Sequence, residues 1–324
     1  MALTSQEHSL TWKQIALEYF KATKPRVVIL IVLSGFVAFF ISSWGSVTVP
    51  DVLVAAFSGY LAVGGSHAIN AYIDRGYDQI MSRTRHRPLA SDRINPPETM
   101  VLVGTAMIIL GSGLASIYFN LIAGGLVLAG GLYYIFIYSI ILKYRTSWNT
   151  FLGGIAGVLP ILAGSAAASA GGSITLNAWL LAGVLFLWQP SHFWALAIYL
   201  KEDYGRAKIP MLPVVVGSRW TSLAIMASVV VLFFFGWLFP LLGQTSVIFG
   251  ILLSVVGLWL VKSSYDLWKV SDLLEDDTPI NNREEARKVA MKNFKVHNIY
   301  MAVISLFLMV DVVLFYPSGF LFIT

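Results

Sequence analysis

Asp, Glu, Lys and Arg are missing from long stretches of this chain, and the lengths of those stretches constrain its fold more than any motif does. A transmembrane helix needs about 20 apolar residues, and an Asp, Lys or Arg at its centre costs roughly 2.5 to 3.5 kcal/mol. Val27 to Pro50 (24 residues) and Val52 to Ile73 (22) have room for one span each. Thr99 to Leu142 (44), Thr146 to Leu200 (55) and Trp220 to Val261 (42) have room for two each, and the stretch from Val296 onward holds one more. Breaks in the double stretches fall at Asn120, in the Ser/Ala/Gly-rich run from Gly164 to Asn177, and at Pro240 to Thr245. The expectation is an all-α, polytopic membrane protein of nine transmembrane helices. Composition agrees, since only 12% of the 324 residues are charged against roughly 25% in soluble domains.

The charges that remain are segregated. All 22 Lys and Arg lie in residues 1–26, 74–98, 143–145, 201–219 and 262–295, which an up-and-down bundle puts on one side. The other side keeps short uncharged turns, Asp51, and Asp311 near the end of the ninth helix, where it is expected to reach the interface. By the positive-inside rule the basic side is cytoplasmic, with the N-terminus inside and the C-terminus outside a plasma membrane. Residues 1–26 read as a cytoplasmic N-terminal segment and 27–324 as a single catalytic transmembrane domain. Trp12, Ile15, Ala16, Tyr19 and Phe20 form a short helical stripe suited to the interface; a disordered tail is the alternative. Basic residues this sparse do not make a nucleic-acid groove. With no cysteine, any metal must be held by oxygen or imidazole.

Acids stand where a helix end disfavours them. The second helix ends N-A-Y-I-D-R-G-Y-D, which spaces Asn70, Asp74 and Asp78 at i, i+4 and i+8 on one face. It runs toward the basic side, so its C-terminal dipole opposes acids there by roughly 0.3 to 1 kcal/mol each. The sixth helix runs the same way and ends in Glu202 and Asp203. The 129 residues from Asp74 to Asp203 span four helices, so the two sites occupy equivalent places in a parallel four-helix repeat. Hard oxygen ligands in this number suit Mg²⁺, which binds through one or two carboxylates, water and substrate phosphates. A diphosphate bridging the two acidic clusters is the natural ligand. Lys24, Arg26, Arg83, Arg85, Arg87, Lys143, Lys201 and Arg206 surround the same face as candidate phosphate contacts, although topology alone demands basic residues there.

These residues resemble a known family. N-x-x-x-D-x-x-x-D at the cytoplasmic end of a helix is similar to the first motif of the UbiA superfamily of intramembrane prenyltransferases. K-P-R at 24–26, the string from Asp74 to Leu89, W-N-T-F-L-G-G-I-A-G from Trp148 to Gly157, and the strings from His192 to Pro213 resemble its protohaem IX farnesyltransferase (haem O synthase) branch. The resemblance implies Mg²⁺-dependent transfer of farnesyl from farnesyl diphosphate to a vinyl group of haem B. It implies metal and diphosphate on Asn70, Asp74 and Asp78, and a haem A synthase or terminal-oxidase assembly consuming the product. The second site departs from the superfamily's Asp-rich pattern, retaining Glu202 and Asp203, with His192 near where other members place an acid.

His192, in an apolar helix after Pro190, reads as a haem contact or axial ligand, or as a packing histidine. His67 shares the face of Asn70. Tyr72, Tyr77, Tyr199 and Tyr204 offer π faces to a cation or form an interfacial belt. Gly153, Gly154 and Gly157 read as close packing. A transporter would place polar groups along a path open to both sides, which the charge pattern lacks. Among enzymes, the alternative is a UbiA-type prenyltransferase acting on a quinone precursor or another aromatic acceptor.

Overall fold

The computed structural model describes residues 11–275 and 278–315. Among them are α1 (Trp12–Ala22), α2 (Pro25–Ser42), α3 (Val49–Ile80), α4 (Thr99–Tyr118) and α5 (Leu121–Leu132), which continues as a π-helix over Tyr133–Leu142. Then follow α6 (Asn149–Gly153), α7 (Ile155–Ala167), α8 (Leu176–Tyr199), α9 (Lys201–Arg206), α10 (Leu212–Gly236), α11 (Leu238–Leu241), α12 (Val247–Lys269) and α13 (Ile280–Phe315). Nine helical segments among the described residues are long and apolar enough to cross a membrane, as the charge-free stretches require. Three of the spans are composite: α5 with its π continuation, α6 with α7, and α10 with α11.

The breaks fall where the sequence places them, and each is capped. The Asn120 side chain accepts from Ala123 N at the start of α5, Thr175 from Ala178 N at α8, and Ser246 from Phe249 N at α12. Such caps satisfy amide protons that a helix start leaves orphaned. Helix ends on the basic side differ from the charge-free bounds. α3 runs on to Ile80, past Asp74 and Asp78, and α13 begins at Ile280, well before Val296. At 1.5 Å per residue, the 32 residues of α3 measure about 48 Å, longer than a hydrocarbon core of about 30 Å. Charge marks where a helix leaves the lipid, and it does not end the helix.

Asp311, near the end of α13, finds a partner that the sequence does not show. It is buried, and its carboxylate accepts from the Ser246 hydroxyl and, at 2.9 Å, from the Ser246 N–H. The start of α12 offers amide protons and a positive dipole end, a favourable environment for a carboxylate. The C-terminal residues 316–324 lie outside the described residues, as do 1–10. The N-terminal stripe falls on α1, whose Trp12 and Phe20 are exposed.

The main apolar core joins α8, α10, α12 and α13 to α2 and α7 through buried residues such as Leu181, Ile225, Leu260, Ile304, Ile41 and Ile161. Elsewhere small residues bring backbones together. A Cβ on Gly65 would lie 2.5 Å from the Gly104 carbonyl oxygen where α3 crosses α4, and one on Gly164 would lie 2.0 Å from that of Gly35 where α7 crosses α2. The Gly153 to Gly157 run packs differently from a backbone crossing: Gly153 makes room for the Tyr138 ring and Gly157 for the Gln189 amide. Gly164→Val is therefore expected to lower the melting temperature in detergent, with overpacking of about 1–3 kcal/mol. Gly113→Ala, where nothing lies within 4 Å of an added Cβ, is expected to leave it unchanged.

Candidate active site

Residues 64–71 of α3 form a continuous buried stretch, enclosed by α4, α2 and the π segment after α5. The helix periodicity carries Asn70, Asp74 and Asp78 down one side of it, and they are only 1%, 2% and 5% exposed. Each oxygen ligand on this face is matched by a cation from a different part of the chain. Lys24 Nζ donates to Asn70 Oδ1 at 2.6 Å. Lys143 Nζ donates to Asp74 Oδ2 at 2.5 Å, and the Tyr144 hydroxyl to Asp74 Oδ1 at 2.5 Å. Arg87 Nη1 donates to both oxygens of Asp78, at 3.0 and 2.9 Å.

Local backbone features place these cations. Lys24 caps α2 in the left-handed region (φ 56°), a conformation that costs energy for a side-chain-bearing residue and turns the chain just before Pro25. Lys143 follows the π-helix, whose Ser139 hydroxyl accepts from Asn70 Nδ2 at 3.1 Å. π turns are rare and recur at functional sites because they re-aim side chains. His67 is hydrogen-bonded through Nδ1 to the Tyr134 hydroxyl of the same segment at 3.1 Å. Arg87 sits on the loop after α3, which Thr84 pins by donating to the Asp78 carbonyl.

Burial and charge act on this cluster together. Burial, reinforced by Arg87, pushes the Lys24 ammonium down to about 7 despite the opposing pull of Asp74. Burial also works against the charge of Lys143, but Asp74 and Tyr138 outweigh it and hold that ammonium above its usual value. The Tyr144 phenol is driven up by burial and by the Asp74 carboxylate. The result is a dense set of oppositely charged groups in a poorly solvated place, where an unpaired member is costly.

The second acidic site is built otherwise. α8 ends at Tyr199, and Glu202 and Asp203 belong to the separate short helix α9. Asp203 is buried; it accepts from the Ser82 hydroxyl at 2.8 and 2.9 Å, from Ser82 N at 3.4 Å, and from Arg206. Although burial opposes ionisation, Ser82, Arg206 and the Arg83 N–H hold this carboxyl below its usual value. Glu202, by contrast, is exposed and accepts from Arg287 of α13 at 3.3 Å. Among the described residues no group of three or more His, Asp and Glu is close enough to hold a metal ion alone. The donor chemistry still fits Mg²⁺, whose sites usually combine one or two carboxylates with substrate phosphates. Asn70, Asp74 and Asp78 present hard oxygens already paired with cations.

Other expected site residues are dispersed. Arg26 and Arg85 are exposed, and Lys201 pairs with Glu275 at 2.7 Å. Tyr77 stacks on Tyr144 with centroids 4.0 Å apart, Tyr199 lies under Arg287, and Tyr72 lies under Arg75. Tyr204 packs with Met81 and Ile209. His192 is buried between Trp188 and Phe294, with centroids 4.2 and 4.4 Å away. Sequence reasoning missed Tyr144, Ser139, Ser82 and Arg287. The first three carry no motif, and Arg287 was one basic residue among seven in a segment read for topology.

Residues 31–277 match the model of the UbiA prenyltransferase family. The chain belongs to that family. Its curated relatives include a protoheme IX farnesyltransferase of Gloeobacter violaceus, 35% identical over 89% of this chain and 90% of the relative. One from Streptomyces coelicolor is 36% identical over 74% of this chain and 75% of the relative. Among solved structures, a digeranylgeranylglyceryl phosphate synthase superposes with a TM-score of 0.72 at 18% identity, covering 92% of this chain and 99% of that one. A UbiA homolog from Archaeoglobus fulgidus bound to DMAPP and Mg²⁺ superposes at 0.62 with 16% identity, covering 90% and 99%. At such identities the two structures establish a shared fold. This UbiA member is thus a multi-pass membrane protein whose most densely charged buried cluster lies on α3.

In this UbiA bundle Lys143→Met leaves Asp74 buried without its ammonium, and is expected to destabilise the protein by about 3–5 kcal/mol. Pairing it with Asp74→Asn is expected to recover most of that loss in thermal unfolding. Equal, additive losses from the two substitutions would show that the pair is not coupled.

Proposed function

We propose that the chain transfers farnesyl from farnesyl diphosphate to a vinyl group of protohaem IX (haem B), forming haem O and releasing diphosphate, with Mg²⁺. The observation that carries the donor half is the buried face on which Asn70, Asp74 and Asp78 are each matched by a cation. Such a face holds the two kinds of group a metal-bound diphosphate needs: oxygens for the metal, and Lys24, Lys143 and Arg87 for phosphate oxygens. The acceptor half is supported by the names of relatives that are 31–37% identical.

Asn70, Asp74 and Asp78 would hold Mg²⁺, which when bound neutralises charge developing on the departing diphosphate, an effect of several kcal/mol. Lys143 and Arg87, released from their carboxylates, turn to the same phosphate oxygens. The C1–O bond of farnesyl breaks as a bond forms from C1 to the terminal vinyl carbon. Positive charge then rests on the carbon beside the porphyrin, where water adds and loses a proton to leave the hydroxyl. No protein nucleophile is needed. The apolar bundle excludes water until the carbon–carbon bond exists. Asp203 acts through Ser82 and Arg83, holding the loop that carries Arg87.

Residues 1–26 act as a cytoplasmic segment and 27–324 as one catalytic domain. The five basic segments support a reading in which the acidic face is on the cytoplasmic side of a plasma membrane, with the N-terminus inside and the C-terminus outside. A haem A synthase or an oxidase assembly then consumes the product.

Vesicles containing the protein, Mg²⁺, farnesyl diphosphate and haem B are expected to form haem O, read by chromatography and mass. Asp74→Ala or Asp78→Ala is expected to cut the rate by about 100-fold or more, the scale of losing a main stabiliser of leaving-group charge. An undiminished rate would remove the metal assignment, and product only from a quinone precursor would remove the haem acceptor.

A further inference from the structure

Beside the acidic face, on the same side of the membrane, lies an open cleft of about 530 Å³, in which the mechanism above gives Asp203, Ser82 and Arg83 only a positioning role and leaves Glu202, Arg206 and Arg287 unused. Its walls carry three guanidinium groups from three separate elements: Arg83 of the loop after α3, Arg206 of α9 and Arg287 of α13. None of Asn70, Asp74, Asp78, Lys24, Lys143 or Arg87 lines it. Two carboxylates also face it, and they are engaged very differently. Asp203 is buried and bound by Ser82 and Arg206. Glu202 is half exposed and, among the described residues, holds only Arg287, across 3.3 Å.

Arg287 is positioned independently of that pair. Its Nη2 donates to the Tyr199 carbonyl at 3.0 Å, and its guanidinium lies 5.2 Å from the centre of the Tyr199 ring. A main-chain acceptor and an aromatic face thus fix the guanidinium at the cleft wall, while its other edge meets a carboxylate that solvent already competes for. Exposed pairs of this kind contribute little to stability. Glu202 can therefore be exchanged for a carboxylate brought by a ligand at little cost, and a planar guanidinium is the group best suited to receive one.

We propose that this cleft binds the carboxylates of the acceptor, the propionates of haem, with Arg287 as the principal contact and Arg83 and Arg206 beside it. The proposal rests on the haem reading of the function and extends it to the acceptor's pose. A porphyrin with two propionates is amphipathic. Its charged edge is costly in hydrocarbon and belongs at the rim of the bundle, where these arginines stand. The vinyl groups of haem B sit on the edge opposite the propionates. Holding the propionates at the rim directs the vinyl edge away from water and into the bundle, where the farnesyl group must also lie.

The test is steady-state kinetics of the full-length protein in vesicles, with haem B and with its dimethyl ester, in which both propionates are capped. The wild type is expected to prefer haem B. Arg287→Ala is expected to raise KM for haem B by about tenfold, the scale of a lost hydrogen bond to a charged group, and to abolish the preference over the ester. The KM for farnesyl diphosphate should stay put, and Arg287→Lys should restore part of the preference. Glu202→Gln, which frees Arg287 without truncating it, should lower KM for haem B and leave that for the ester unchanged. This variant decides the matter if Arg287→Ala does not fold. A loss falling equally on both acceptors, an effect confined to farnesyl diphosphate, or unaltered preference in the Arg287 and Glu202 variants would overturn the proposal. A wild type that makes no haem O would instead overturn the haem reading itself.

Discussion

Two carboxylates and an amide buried on one side of α3, at the edge of the membrane, set terms that much of the rest of the structure meets. Left unpaired, Asp74 and Asp78 would bear desolvation penalties of several kcal/mol each. The fold answers by converging three cations, two of them remote in sequence. Lys24 arrives from a left-handed turn ahead of α2, Lys143 from the end of a π-helix, and Arg87 from a loop folded back on α3. The placement of α2 and α5 around α3 is inseparable from these contacts. Small residues such as Gly65 and Gly104 then let α4 close the remaining side.

This arrangement gives a simple account of how a charged reaction is run in lipid. Without a donor, the cluster neutralises itself and the buried charge is tolerated. On the proposed reading, a metal and a diphosphate entering together would offer Lys143 and Arg87 phosphate oxygens in place of their carboxylates, and Asp74 and Asp78 a metal. Such an exchange would add a dication and a polyanion while leaving few charges unpaired. Entry of either component alone would leave one set of partners uncompensated, so the two should bind cooperatively.

Much of this was legible in the sequence for one reason: charge is so costly in hydrocarbon that its distribution records the topology. The spans, their breaks and the clustering of Asn70, Asp74 and Asp78 with Lys143 and Arg87 all follow from that cost. The helix ends were not legible, because α3 and α13 continue through charges once outside the lipid. The partner of Asp311 was not legible because Ser246 is 65 residues away and reaches it only through tertiary packing. The π turns after Leu132, the Tyr144 hydroxyl on Asp74 and the Ser82 tie to Asp203 leave no periodicity or motif behind. Arg287 looked like one more topogenic charge until α13 was seen against Tyr199. Long-range side-chain pairing, rather than local propensity, is what the sequence withheld.

The exchange of partners on α3 is tested most directly by calorimetry with a thiodiphosphate analogue of farnesyl diphosphate that does not react. The full-length protein should bind this analogue about tenfold or more tightly with Mg²⁺ than in chelator, a coupling of at least about 1.4 kcal/mol. Equal affinity with and without Mg²⁺ would contradict the account, because it would mean that Asp74 and Asp78 keep their cations when the donor binds.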